Sequence, residues 1–212
     1  MAAEFLWTLG DASQLEDAID GSLLQGRREG RVAFVGRSNV GKSSLINRII
    51  GTKLAQTSAQ PGKTRALHFY DWKDGGKIIV DLPGYGFAKQ SKDDRDHWAG
   101  LIAEYIAADP GLECAILLID ARNGPTDKDF GAIDFLRSES IPMLFAITKI
   151  DQLKTQSERV KRTREIETHL AEIGYGPELY FFTSAEKGTG IRELQAEIRK
   201  AAPPTETEGS DD

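Results

Sequence analysis

Eight residues, Gly36-Arg37-Ser38-Asn39-Val40-Gly41-Lys42-Ser43, place two glycines, a lysine and two serine hydroxyls in one short turn. An apolar run, Val32 to Val35, precedes them, and a helix-like stretch, Ser43 to Gly51, follows. The spacing matches GxxxxGK[ST] in a strand–turn–helix context. Its chemistry is anion binding. Gly36 and Gly41 admit backbone angles and close approaches that a Cβ would block. Successive N–H groups can then point inward around an anion, and the helix that starts near Lys42 adds its positive end. Lys42 supplies a mobile cation for β and γ phosphates, and the Ser43 hydroxyl can ligate Mg2+. A glycine-rich turn with a solvated lysine would use the same residue types but does not require this context.

Three further segments carry chemistry. Asp81-Leu82-Pro83-Gly84 ends an apolar run; a carboxylate there can hold a metal-bound water, and the Gly84 N–H can meet a γ phosphate. Thr148-Lys149-Ile150-Asp151 ends another run, and Thr183-Ser184-Ala185 a third. Guanine presents two adjacent donors, and one carboxylate, Asp151, can accept both. Adenine would leave that carboxylate unpaired, a mismatch of about 10⁴ or more in discrimination. Lys149 can lay its alkyl stem along the base, and the Ala185 N–H can meet the guanine oxygen. Without the phosphate loop these would read as ordinary strand-end residues. His68, His97 and His169 show no metal-ligand spacing.

The elements that must position these groups are legible as alternating patterns. Continuous apolar runs at 32–36, 77–82, 114–120, 141–148 and 179–184 suit strands buried on both faces of a parallel sheet. Helical patterns lie between them: Ser43–Gly51, Ser91–Ala108 with a capping-box-like start, Thr126–Ser138, Ser157–Ile173 and Gly190–Ala201. Residues 65–82 read as two strands joined by a turn at Asp74-Gly75-Gly76. The expected fold is therefore α/β: a P-loop NTPase, Ras-like, three-layer architecture, with a six-stranded mostly parallel sheet, one antiparallel strand and helices on both faces. Residues 1–29 are expected to form an N-terminal extension, 30–202 the nucleotide-binding domain and 203–212 a disordered acidic tail. Trp7 and Phe5 are expected to pack the extension against the body, and Trp98, Leu101 and Tyr105, on one helical stripe, to face the core. Residues 52–64 form a long polar loop of the kind that is usually functional.

Composition sets the outer bounds. The 212 residues are 40% hydrophobic and 28% charged, enough for one domain with a real core. No apolar run approaches the roughly 20 residues of a membrane span, so no membrane association is expected. The single cysteine, Cys114, excludes an internal disulfide and suits a cytoplasmic location. The net charge is −6, which argues against broad affinity for nucleic acid. Discounting the four acids of the tail brings −6 to −2, so local basic patches are compatible with the acidic total.

Together GRSNVGKSSLIN, PGKTR, DLPGYG, TKID and SAEKGTGI resemble the TRAFAC-class GTPases related to translation factors. Within that class the chain is similar to the EngB (YihA/YsxC) family of bacterial ribosome-assembly GTPases, over roughly residues 30–200. The resemblance implies GTP and GDP as ligands, Mg2+ as cofactor, and a nucleotide site comprising Gly36, Arg37, Ser38, Asn39, Val40, Gly41, Lys42, Ser43, Ser44, Gly62, Lys63, Thr64, Asp81, Leu82, Pro83, Gly84, Thr148, Lys149, Ile150, Asp151, Thr183, Ser184 and Ala185. It implies Lys42, Thr64, Gly84 and Asn39 as the catalytic set. Mg2+ would be held by Ser43 and Thr64, and by Asp81 through water. Thr64 matches the switch threonine, with Thr57 the weaker alternative. Asn39 matches the position that accompanies a bound K+ in related GTPases. Thr148 stands where the wider class more often has asparagine, which implies weaker tethering between loops around the base. Ras-like enzymes orient the attacking water with a glutamine after DxxG; here Tyr85 occupies that place, and slow intrinsic hydrolysis is expected.

The partner implied is the large ribosomal subunit or its precursor, through rRNA and ribosomal proteins, with a consequent effect on cell division and septation. A monomer is expected. Lys53, Lys63, Arg65, Lys89, Lys92 and Arg95 could offer a phosphate-binding surface near the switches, whereas Arg159, Lys161, Arg162 and Arg164 read as solvated charges between acids. Two alternatives use the same phosphate loop: a non-catalytic GTP-binding scaffold in cell division, and an ATP-dependent small-molecule kinase, against which Asp151 and Lys149 speak.

Overall fold

Strand-forming runs dominate the centre of the chain, and in a computed structural model they assemble into one twisted sheet. The structure describes residues 3–10, 29–55, 66–85 and 92–202. Its strands are β1 (Glu4–Leu9), β2 (Gly30–Gly36), β3 (Leu67–Trp72), β4 (Lys77–Asp81), β5 (Leu112–Asp120), β6 (Met143–Thr148) and β7 (Tyr180–Phe182), in the spatial order β1-β3-β4-β2-β5-β6-β7. The pairs β4–β2, β2–β5, β5–β6 and β6–β7 are parallel, and β3 is antiparallel to both of its neighbours. The single antiparallel strand and its hairpin with β4 are as expected.

The strand count differs from expectation. The sheet has seven strands rather than six, because Glu4–Leu9, read as part of an extension, pairs along β3. Aromatic packing anchors it: Trp7 stacks on Phe69 with centroids 4.9 Å apart, and Phe5 meets Tyr70 edge-on at 5.8 Å. The added strand covers the backbone edge that β3 would otherwise expose. Its sequence, EFLWTL, lacks the unbroken apolar run of the buried strands because one side stays wet.

Helices cover both faces, as expected. They are α1 (Lys42–Ile50), α2 (Lys92–Ala108), α3 (Asp127–Ser138), α4 (Gln156–Glu172) and α5 (Ile191–Lys200). Alternate residues of β2 feed opposite cores. Val32 and Phe34 pack with Ile46 and Ile49 of α1 and with Leu194 and Ile198 of α5. Ala33 and Val35 belong to the other core, with Tyr105 of α2, Leu136 of α3 and Leu170 of α4. Among the described residues no helix is long and apolar enough to cross a membrane.

Strand polarity decides what gathers at each edge. The carboxyl ends of β2, β4, β5 and β6 deliver Gly36, Asp81, Asp120 and Thr148 to one rim. The amino ends carry buried ion pairs. Arg31 meets Asp109 at 2.8 Å, and Tyr105 donates to the same carboxylate; Lys77 meets Glu113 at 2.5 Å and also donates to the Ala201 carbonyl at 2.8 Å.

Candidate functional site

The phosphate loop leaves β2 at Gly36 and enters α1 at Lys42. Gly41, at φ 104°, turns the chain into the helix, a conformation that strains any residue bearing a Cβ. Val40 is buried and plugs the loop from beneath, and its N–H donates to the Arg37 carbonyl at 3.1 Å. Lys42 reaches across the rim to Asp81, with which it forms an ion pair, and donates to the Leu82 carbonyl at 2.6 Å. Ser43 lies in the first turn of α1, half-buried.

The segment after β4 is laced to this loop. The Tyr85 N–H donates to the Gly36 carbonyl at 3.3 Å, and the Ser38 N–H donates back to the Tyr85 carbonyl at 3.1 Å. The Ser38 hydroxyl adds a third contact to the same carbonyl. Gly84 packs tightly on the loop: a Cβ there would stand 3.3 Å from the Gly36 carbonyl oxygen and the Ser38 nitrogen, and the loop would have to give by a few tenths of an ångström. Pro83, next to Gly84, is buried. Tyr85 itself is buried, and its phenol donates to Asp129 at 2.8 Å.

On the other side of the loop lies the expected base site. The Thr148 hydroxyl donates to the Val40 carbonyl at 2.7 Å and lies 3.3 Å from that of Ile119. This one hydroxyl spans from β6 to the phosphate loop. Lys149 stands in a left-handed conformation (φ 61°), which sends its side chain back over Gly41. Its ammonium donates to the Asn39 carbonyl at 2.5 Å and to Asp120 at 2.9 Å. Arg122 forks onto Asp120 from the other side at 2.9 and 2.6 Å. Burial alone would raise the Asp120 carboxyl, but the hydrogen bonds from Arg122 and Lys149 outweigh it and hold it down at about 2.

Asp151 sits in a short 3₁₀ turn, Ile150–Gln152, which is pinned to the last segment where the Ile150 N–H donates to the Thr183 carbonyl at 3.3 Å. Thr183 is held to β6 through Ile147, and Ser184 closes a turn with Lys187 and Gly188. Gly41, Ser44, Thr148, Lys149, Asp151, Thr183 and Ala185 line one cleft of about 850 Å3, together with Asn47, Arg48, Gln152, Glu186 and residues 51–55. The predicted phosphate and base segments thus meet at one rim. Lys42 and Asp81, engaged with each other, do not line this cleft, and nor does Ser43; of residues 36–43 only Gly41 does.

Gly62, Lys63, Thr64 and Thr57 lie outside the described residues, as do Arg65, Lys89 and the whole acidic tail, 203–212. The basic run on α4 reads as the solvated face it was expected to be, with Lys161 and Arg162 both near Glu165 at 3.9 and 2.8 Å. Three residues escaped the sequence reading. Asp120 orients Lys149, and its signal was available, since it ends an apolar strand just as Asp81 does. Asn47 accepts from the N–H groups of Leu54 and Ala55 at 2.9 and 2.8 Å and donates to the Ala55 carbonyl, so it holds the wall of the cleft. Asp129 receives Tyr85. Asn47 stands at the end of GRSNVGKSSLIN and Asp129 at capping-box spacing from Thr126, but neither signal names its distant partner.

Comparison with known proteins agrees with this geometry. Residues 31–149 match the family model described as 50S ribosome-binding GTPase, and residues 101–204 match the elongation factor Tu GTP binding domain. A relative from Thermotoga petrophila, described as a probable GTP-binding protein EngB, is 44% identical over 167 residues, covering 78% of this chain and 83% of its own. A crystal structure of a probable GTP-binding protein EngB superposes with a TM-score of 0.61 at 28% identity, over 80% of this chain and 98% of that one. The structure of Era in complex with MgGDPNP and nucleotides 1506–1542 of 16S ribosomal RNA gives a TM-score of 0.61 at 27% identity, over 82% of this chain and 57% of Era.

Proposed function

The chain belongs to the EngB family of GTP-binding proteins and is a GTP-hydrolysing enzyme, and from that premise we propose that it is a nucleotide-controlled switch in assembly of the large ribosomal subunit, in the cytoplasm and as a monomer. The observation that carries the nucleotide part is the convergence of Gly41, Lys149, Asp151 and Ala185 on one cleft beside the phosphate loop. The description of the matching family as ribosome-binding supports the partner. A role in septation follows through ribosome supply.

In this reading Asp151 accepts the two guanine donors, Lys149 lies along the base, and the Ala185 N–H meets its oxygen. Lys42 exchanges Asp81 for the β and γ phosphates, and the Gly84 N–H meets the γ phosphate. Ser43 and Asp81 are hard oxygen donors on one rim, which suits Mg2+; Thr64 completes that set by resemblance. The ion would neutralise phosphate charge. Asn39 is exposed at the crest of the loop, where its amide oxygen suits K+. Tyr85 is committed to Asp129 and does not orient a water, so intrinsic turnover is slow. Co-sedimentation with large ribosomal subunits tests the partner. Retention with a non-hydrolysable GTP analogue should exceed retention with GDP, and equal retention would remove the ribosomal assignment. Equal turnover in Na+ and K+ buffers would remove the K+.

A further inference from the structure

Asp129 lies in the first turn of α3 and is fully buried, a costly place for a carboxylate unless its acceptor sites are filled. Its two oxygens serve different parts of the molecule. Oδ2 accepts from the Thr126 N–H at 2.8 Å and the Thr126 hydroxyl at 2.7 Å, and so caps the helix. Oδ1 accepts from the Tyr85 phenol at 2.8 Å and stands 3.4 Å from Arg37 Nε. The helix cap needs only the first oxygen. The second joins Arg37 of the phosphate loop to Tyr85, the residue next to Gly84. Burial, then Asp129 itself, pushes the Tyr85 phenol far above its ordinary value, so it remains a donor at any working pH.

We propose that Asp129 is a positioning residue for recognition of the γ phosphate: through Tyr85 it holds the Gly84 N–H against the phosphate loop before nucleotide arrives. This rests on the reading of Gly84 as the γ-phosphate donor. The backbone geometry carries it further. The Tyr85 N–H donates to the Gly36 carbonyl, the Tyr85 carbonyl accepts from the Ser38 N–H, and Gly84 packs so close to the loop that no Cβ fits comfortably. A donor placed in advance loses little freedom on binding. GDP has no γ phosphate and gains nothing from this placement. The latch therefore sets selectivity for GTP over GDP rather than affinity for guanosine nucleotides in general.

The test measures dissociation constants of the full chain for GDP and for a non-hydrolysable GTP analogue, with melting temperatures alongside. Tyr85→Phe deletes only the donor and should weaken the analogue about 5–10-fold relative to GDP, the scale of one lost hydrogen bond. Tyr85→Met, which also removes the ring, should give at least that selective loss and serves if Tyr85→Phe folds poorly. Thr126→Val removes a partner of the other oxygen; it should lower the melting temperature and leave the ratio of the two constants unchanged. A Tyr85→Phe protein that melts lower but keeps the wild-type ratio would overturn the proposal and reduce the contact to packing. If the wild-type chain bound neither nucleotide, the reading of the site as a guanosine-nucleotide site would fail first, and the proposal with it.

Discussion

Strand β4 is five residues long and has a lysine–carboxylate pair at each end. At its amino end Lys77 meets Glu113 and the Ala201 carbonyl; at its carboxyl end Asp81 meets Lys42, which also donates to the Leu82 carbonyl. Both pairs are nearly shielded from water. Their surroundings differ in sign. In a parallel α/β sheet, helix carboxyl ends arrive at the amino edge and bring carbonyls; Ala201 caps the end of α5, and its carbonyl is the second acceptor of the Lys77 ammonium. Helices depart from the carboxyl edge and bring unpaired N–H groups, here those of the phosphate loop and α1. A cation at the first edge sits among acceptors. A cation at the second sits among donors, and a phosphate bearing several negative oxygens is a better partner there than one carboxylate. Chain polarity, more than residue type, makes one pair structural and the other exchangeable.

The comparison can be broken by substitution. The largest effect is expected at the rim and only on ligand binding. Asp151→Asn should weaken GTP by about 10⁴-fold, because the guanine donors lose their paired acceptor. Titration checks this, and the melting temperature should stay within a degree or two of wild type. At the opposite edge the effect should fall on stability instead. Lys77→Met strands the Glu113 carboxylate and should cost about 3–5 kcal/mol in denaturant unfolding, with GDP affinity unchanged. Lys77→Met combined with Glu113→Leu should recover most of that loss. Lys42→Ala should slow GTP turnover about 10²–10³-fold while costing less stability than Lys77→Met. Equal destabilisation by the two lysine substitutions would erase the distinction between the edges.

The smallest effect concerns pH. The folded Asp120 carboxyl lies at about 2, below its ordinary 3.8. A depressed carboxyl stabilises the fold above its unfolded value and ceases to do so as pH falls through the folded one. The stability gap between the native chain and Asp120→Asn should therefore be full above pH 3.8 and close towards pH 2. Thermal melts across that range read it directly. A gap that persists at pH 2 would mean that Asp120 contributes by packing, without its charge.

Local patterns were enough for much of this. Apolar runs located the buried strands because strands covered on both faces admit few polar residues, as β5, buried along its whole length, illustrates. Helix limits fell within a residue or so of the patterns: Ser43–Gly51 became Lys42–Ile50, and Thr126–Ser138 became Asp127–Ser138. The β3–β4 hairpin followed from its turn residues. What escaped depended on contacts distant along the chain. Strand β1 is bound by Trp7 and Phe5 against residues more than sixty positions away. The tether from Thr148 crosses 108 residues to Val40, and nothing near Thr148 announces it.

The amino-acid order alone determined which chemistry was present: an anion-cradling turn, a lysine, a hydroxyl and carboxylates at strand ends, each specified by short-range sterics and hydrogen-bonding capacity. Only the tertiary structure decided the partnerships. Asp81 with Lys42, Asp120 with Lys149 and Asp129 with Tyr85 are choices among many carboxylates of equal charge, and a charge carries no address in the sequence. The addresses come from strand order and helix polarity, which bring residues of distant segments within 3 Å and set whether each pair closes on itself or faces a cleft.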